Sequence, residues 1–187
     1  MPTPIKTLLL FVMINFSSIA VAQDWVWAPD FPEGNNIPPI AAPDQNGDLR
    51  TLADLSGRNG LVLVLSRSFD WCPYCISQLQ QLVDVAPEFE AMGINVATMT
   101  YDSLQTLKNA ETDYDVDFPM LSDEDTRHFS ALNIVNNQYE PGDRAYGIPY
   151  PGIFLIDADG VIRFKFAEED YRERPDFSQV LAAARYL

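Results

Sequence analysis

The chain has very little cysteine and histidine: two Cys and one His in 187 residues. That scarcity excludes a disulfide-knitted scaffold, which needs several bridges. It also leaves too few ligands for a zinc site, because Cys72, Cys75 and His128 are followed by no second ligand pair. Positive charge is scarce as well. Twelve Lys and Arg stand against 27 Asp and Glu, for a formal net charge of −15. A surface of that sign is repelled by phosphate backbones and anionic lipid, which argues against nucleic acid and membrane surfaces as partners. The sequence has no repeat, low-complexity tract, Gly-rich phosphate loop, nucleophilic-serine motif or cofactor fingerprint, and no cofactor is expected. The acidic runs Asp113, Asp115, Asp117 and Asp123-Glu124-Asp125 lack the glycine and bidentate Glu of a calcium loop, and read as solvated surface.

A long hydrophobic run is missing too. The most apolar stretch, Thr7 to Ile19, is broken by Asn15, Ser17 and Ser18 and is too short and polar for a membrane span. It follows a short segment with one positive charge, Lys6, and precedes Ala20-Val21-Ala22, a small-x-small cleavage pattern. The pattern predicts a signal peptide over residues 1–22, a mature chain from Gln23, and a periplasmic or secreted protein with no stable membrane insertion after cleavage, with an uncleaved anchor as the alternative. Loss of Lys6 takes the formal charge from −15 to −16.

What the chain does have is Trp71-Cys72-Pro73-Tyr74-Cys75, with both cysteines three residues apart. The apolar run Leu61-Val62-Leu63-Val64-Leu65 leads in, and Ile76, Leu79, Leu82, Val83 and Ala86 lead out at helical spacing. Two thiols at the N-terminus of a helix beside a strand make a reversible disulfide switch. A bridge across three residues closes a tiny loop and constrains the unfolded chain little, so a purely structural role is a poor use of the pair. Cys72 is expected near the unpaired N–H groups of the first helical turn, which favour a thiolate. Pro73 suits the first helical position. Cys75 lies on the same helical face, placed to attack a mixed disulfide on Cys72. Arg67 and Asp70 pull the Cys72 pKa in opposite directions, with Asp70 expected at the surface. Tyr74 offers a hydroxyl and an aromatic face. Trp71 either packs or shields the disulfide and touches substrate.

Organisation along the chain follows from periodicity and breakers. Residues 23–43 read as an irregular lead-in with five prolines, in which Trp25 and Trp27 pack on the domain surface. Residues 44–187 form one domain. A turn at Asp44 to Asp48 precedes a short strand at Leu49 to Thr51. Buried strands are expected at Leu61 to Ser66 and Ile94 to Met99. The helix from Pro73 is kinked or restarted at Pro87 and stops at Gly93. Further helices are expected at Ser103 to Ala110, Glu124 to Leu132 and Asp176 to Arg185, with a short strand at Phe118 to Leu121. Asn133 to Tyr150 is a long loop of the kind that carries function. Gly152 to Asp157 and Val161 to Phe166 flank an Asp-Gly turn and form a hairpin. With right-handed crossovers the result is a three-layer α/β sandwich around a central mixed sheet.

These residues resemble the thioredoxin-like superfamily: a buried strand, Trp71-Cys72-Pro73-Tyr74-Cys75, a helix, then Tyr150-Pro151-Gly152-Ile153-Phe154-Leu155-Ile156-Asp157 and Asp159-Gly160-Val161-Ile162. Within it, Asp44 to Leu55 and the tail Tyr171-Arg172-Glu173-Arg174-Pro175 are similar to the redoxin, or alkyl hydroperoxide reductase/thiol-specific antioxidant, group in its peroxiredoxin-like branch. The resemblance covers roughly residues 37–187 and implies a thioredoxin-like fold with a redoxin-type N-terminal extension. It also implies a cis bond before Pro151, with Pro149 as the rival, and a Tyr150 backbone that faces an extended substrate. The chain departs from the family at two places. Peroxiredoxins carry Thr three residues and Pro seven residues before the peroxide-reactive Cys, where this chain has Phe69 and Leu65; Arg67 still offers a positive charge. Thioredoxins carry a buried Asp six residues before the first Cys, where this chain has Ser66.

Three functions are open on these grounds. The first is an exported thiol–disulfide oxidoreductase with Cys72 as nucleophile, Cys75 resolving, and Pro151 with Tyr150 shaping the groove; its partner is a protein thiol or disulfide. The second is a thiol peroxidase in which Cys72 is oxidised by hydroperoxide and Cys75 condenses with it. The third is a non-catalytic binding domain whose disulfide stays closed. Oligomeric state, redox partner and direction are not readable from the residues.

Overall fold

The computed structural model describes residues 25–187. The expected signal peptide lies outside the described residues. Twelve elements follow one another: β1 (Ala41–Pro43), β2 (Leu49–Thr51), α1 (Leu52–Leu55), β3 (Gly60–Leu65), α2 (Pro73–Ala91), β4 (Ile94–Thr100), α3 (Leu104–Asp113), β5 (Met120–Ser122), α4 (Arg127–Ala131), β6 (Gly152–Asp157), β7 (Ile162–Phe166) and α5 (Phe177–Ala184). Five strands form one sheet in the order β5-β4-β3-β6-β7. β3, β4 and β5 run parallel, and β6 and β7 join antiparallel, as the hairpin signal implied. β1 and β2 form a separate antiparallel pair.

Alternation along the central strands explains the layers. Val62, Val64, Val96, Ile153 and Leu155 point to one face, where Leu79, Leu82 and Phe89 of α2, Leu107 of α3 and Val180 of α5 cover them. Leu61, Leu63, Leu65, Met99, Phe154 and Ile156 point to the other, beneath α4 and the lead-in segment. Every residue of β3 is buried, which is why it reads as a continuous apolar run rather than an alternating one.

The lead-in segment is more ordered than its prolines suggest. Ala41 to Pro43 is a strand because it finds a partner in Leu49 to Thr51. Trp27 is buried instead of lying at the surface: its ring packs 4.5 Å from that of Phe154, and its Nε1 donates to the Tyr150 carbonyl at 2.9 Å. An indole this large covers the end of β6, and Gly152 makes room for it. A Cβ there would meet the indole at 2.5 Å. Trp25 stays at the surface, 36% exposed.

α2 runs through Pro87 as one element of 19 residues, so of the two expectations, a kink or a restart, the restart does not occur. Proline removes one backbone donor, but buried Ala86 and Phe89 on either side hold the helix to the sheet. The only histidine is structural. His128 Nε2 accepts from the Ala41 N–H at 3.2 Å, which leaves the ring proton on Nδ1 to bond Asp123 Oδ1 at 2.7 Å. Asp123 also accepts from the backbone N–H groups of His128 and Phe129. One buried carboxylate thereby fixes the start of α4 and, through the imidazole, β1.

Candidate active site

Parallel pairing of β3 and β4 brings their carboxyl ends side by side, Leu65 opposite Met99, and the antiparallel β6 begins at the same end, Gly152 opposite Leu65. Loops leaving these ends converge there, the common location of sites in open α/β sheets. Ser66 to Trp71 is the loop from β3. It is held by Asp102, just beyond β4, which accepts from Ser68 Oγ (2.7 Å), the Phe69 N–H (2.7 Å) and Thr100 Oγ1 (2.9 Å). Burial pushes the Asp102 carboxyl above its usual range despite these donors. Sequence reading missed Asp102. It looks like one more surface aspartate, and only the fold places it beneath the cysteine loop.

Cys72 is the N-cap of α2 and Pro73 opens the helix, as the motif predicts. Cys72 and Cys75 are joined by a disulfide, with Cα atoms 5.3 Å apart. Cys72 Sγ accepts from the Cys75 N–H at 3.3 Å, so the first turn presents a donor to this sulfur. Both residues are buried, at 1% and 0% exposure. Exchange at either sulfur therefore requires the side chains around them to move.

Those side chains are aromatic and basic. Trp71 packs against the core, and its Nε1 donates to Tyr101 Oη at 2.9 Å. Tyr101 Oη in turn donates to the Arg144 carbonyl, which ties the long loop to the site. Burial raises the Tyr101 phenol above its usual pKa. Tyr74 is 42% exposed and meets Tyr171 edge to face at 6.0 Å. Arg67 is buried, its guanidinium 4.0 Å from the Tyr171 ring centre and 5.1 Å from that of Trp71. Arg67 Nη2 donates to Tyr139 Oη at 3.1 Å. Asp70 is at the surface, as expected, and pairs with exposed Arg144 at 3.3 Å.

Arg174 is the second residue that sequence reading missed. It belongs to a tail noticed only for its family likeness, almost a hundred positions from Cys75. The segment after β7 folds back so that Arg174 Nη2 lies 3.6 Å from Cys75 Sγ. Burial, and then the neighbouring Arg67, lower its pKa to about 10.

Two expectations about the opposite wall are corrected. Every peptide bond among the described residues is trans, including those before Pro149 and Pro151. The Tyr150 backbone is not offered to a substrate either: its N–H donates to the Ile134 carbonyl at 2.7 Å and its carbonyl accepts from Trp27. The loop strands around Ile134 to Asn136 and Ile148 to Tyr150 pair with each other and take the N–H, and the lead-in segment takes the carbonyl through Trp27. Pro151 is buried beside Gly152, and Tyr150 Oη bonds Asn137. Among the described residues no group of three or more His, Cys, Asp or Glu converges on a metal-sized site.

A parallel-cored mixed sheet with a Cys-x-x-Cys pair at the start of its long helix defines a thioredoxin-like domain. The chain belongs to the AhpC/TSA family, whose pattern it matches over residues 34–165. It is 30% identical to peroxiredoxin Bcp of Escherichia coli over 138 residues, covering 71% of this chain and 83% of that protein. It is 25% identical to the thiol–disulfide oxidoreductase ResA of Bacillus cereus over 142 residues, covering 75% and 73%. The peroxidoxin BcpB structure from Mycobacterium tuberculosis superposes with a TM-score of 0.71 at 20% identity, covering 84% of this chain and 98% of that one, and so shares the fold. The chain spans 65% and 51% of the length of two further curated peroxiredoxins it matches.

Proposed function

We propose that this protein is an exported thiol–disulfide oxidoreductase that cycles the Cys72–Cys75 disulfide. The observation that carries the proposal is the closed disulfide at the N-terminus of α2, formed by the only two cysteines of the chain. An incoming thiolate attacks Cys72 Sγ. The Cys72–Cys75 bond breaks, and its electron pair leaves on Cys75 as a thiolate. A second thiolate then attacks the partner sulfur of the mixed disulfide and releases Cys72, so the protein gains two electrons and the partner thiols become a disulfide. The reverse sequence reduces a partner disulfide. The signal-like residues 1–22 support an exported location, where disulfides form and persist.

A second function is favoured by the peroxiredoxin relatives and by the Arg174 guanidinium beside Cys75 Sγ. In a peroxidase, the Cys72 thiolate attacks a hydroperoxide oxygen and the alcohol leaves. Cys75 then displaces water from the sulfenic acid to close the disulfide. Phe69 in the place of the usual Thr weighs against it. The deciding experiment mixes fully reduced protein, from Gln23 onward, with stoichiometric hydroperoxide or with glutathione disulfide, using free cysteine as control. Fast thiol loss with the disulfide alone supports exchange. Fast loss with hydroperoxide makes the protein a peroxidase. Cys72→Ser abolishes exchange, and Cys75→Ser accumulates mixed disulfide, read by mass spectrometry.

A further inference from the structure

Arg67 is a buried positive charge and Arg174 a half-buried one, and neither has an acidic partner in contact. Arg67 is 5% exposed. The Nε atoms of both are buried and make no hydrogen bond. Among the described residues, the ion pairs of the molecule involve other cations, and neither guanidinium reaches a carboxylate. The arrangement is not for want of acid, since Asp and Glu outnumber Lys and Arg by 27 to 12. Buried charges are ordinarily paired, because an unpaired one forfeits its hydration for nothing. Arg67 is partly compensated by two aromatic faces and the Tyr139 hydroxyl. Arg174 has the Glu173 carbonyl on Nη1, and on Nη2 only Cys75 Sγ at 3.6 Å. In the disulfide that sulfur is neutral, so the missing anion is one that reduction creates.

We propose that Arg174 is the counter-ion of a Cys75 thiolate, with Arg67 as a second positive charge nearby, so that the second cysteine of the motif is held ionised in the reduced protein. This deepens the exchange function proposed above and rests on it. The charged and titratable groups around the pair are Cys72 on the same helix, Arg67 from the loop after β3, and Asp170 and Tyr171 from the segment that carries Arg174. Asp170 acts on Arg174 only from a distance, without an ion pair, and its own contact is with Arg172 at 2.6 Å.

The consequence lies in the resolving step. With Cys72 in a mixed disulfide, Cys75 attacks Cys72 Sγ as a thiolate. The Cys72–Cys75 bond forms, the bond from Cys72 to the partner sulfur breaks, and the electron pair leaves on the partner thiolate. A Cys75 already ionised at neutral pH needs no base, which suits a chain with Ser66 where thioredoxins carry a buried Asp. The ion pair exists only in the dithiol state, so it stabilises that state and makes the disulfide more oxidising.

The test uses the single-thiol protein Cys72→Ser, alone and combined with Arg174→Gln or Arg174→Lys, and follows the rate of Cys75 alkylation against pH. With Arg174 present, the midpoint falls below the ~8.5 of free cysteine. With Gln it rises by about 1 pH unit or more, and Lys restores most of the difference. In the two-cysteine protein, Arg174→Gln shifts the equilibrium with glutathione about tenfold toward the disulfide, which is ~30 mV for this couple. Equal midpoints with and without Arg174, at unchanged circular dichroism, overturn the proposal. If Arg174→Gln does not fold, the Cys72→Ser protein decides alone: a midpoint at or above that of free cysteine overturns it. The alkylation needs no redox partner. Absence of exchange in the wild type alongside a depressed Cys75 midpoint therefore counts against the exchange function and supports the ion pair.

Discussion

Asp123 is a buried ionisable group and Arg174 a half-buried one, and their surroundings differ in kind. Asp123 accepts two backbone N–H groups and the His128 ring proton, and the far side of that ring takes the Ala41 N–H. Arg174 has an unpartnered Nε, a second guanidinium nearby and a sulfur at 3.6 Å. The first cluster is complete as it stands and does one thing: it pins α4 and β1 to the domain. The second is incomplete in the oxidised protein and is completed by a change of redox state. Full satisfaction marks a structural cluster, and a deficit beside a reactive atom marks a functional one.

His128→Ala strips Asp123 of its ring partner and leaves the Ala41 N–H unpaired. The expected loss is about 1–3 kcal/mol in urea unfolding, with exchange per folded molecule unchanged. Arg174→Met moves the other way. It replaces an unpaired cation by an apolar chain of similar length, and the oxidised protein gains about 1 kcal/mol while resolution of mixed disulfides slows. A loss of stability in Arg174→Met, or a gain in His128→Ala, would break the contrast between the two clusters.

Asp102 sharpens it, being a buried carboxylate with three donors whose pKa is nonetheless raised by burial. A carboxyl whose folded pKa exceeds its unfolded value costs stability above the folded pKa. That cost disappears as pH falls through the window down to the ordinary 3.8. The stability of the wild type relative to Asp102→Asn therefore rises on acidification through that window, measured by urea unfolding at a series of pH values. The smallest effect belongs to the exposed Arg144–Asp70 pair. Arg144→Ala changes stability by no more than about 1 kcal/mol, less at high salt.

How much was legible depended on the range of the interaction that fixes each residue. Cys72 as N-cap, Pro73 at the start of α2, the buried run of β3 and the hairpin of β6 and β7 follow from local spacing, and they stand where the sequence put them. The AhpC/TSA resemblance drawn from the same motifs also holds. Trp27 is buried where spacing predicts a surface position, because its burial depends on Phe154 and Gly152, over a hundred residues away. The engagement of the Tyr150 backbone is not legible from spacing, because its partners, Ile134 and Trp27, are supplied by two other segments. Pro87 lies inside α2 without restarting it, because a missing backbone donor is a local signal, whereas the packing of Ala86 and Phe89 against the core is not.

The sequence by itself determined the fold class, the redox pair and the orientation of Cys72 on its helix, since periodicity, capping and Cys spacing act within a few residues. Only the tertiary structure decided which charges meet the sulfurs. Arg174 arrives through a tail folded back over the sheet end, Arg67 is sandwiched between rings from two segments, and Asp102 is drawn beneath the cysteine loop by parallel pairing of β3 and β4. Electrostatic partners are set by distance and burial in three dimensions, and neither quantity is written in residue spacing.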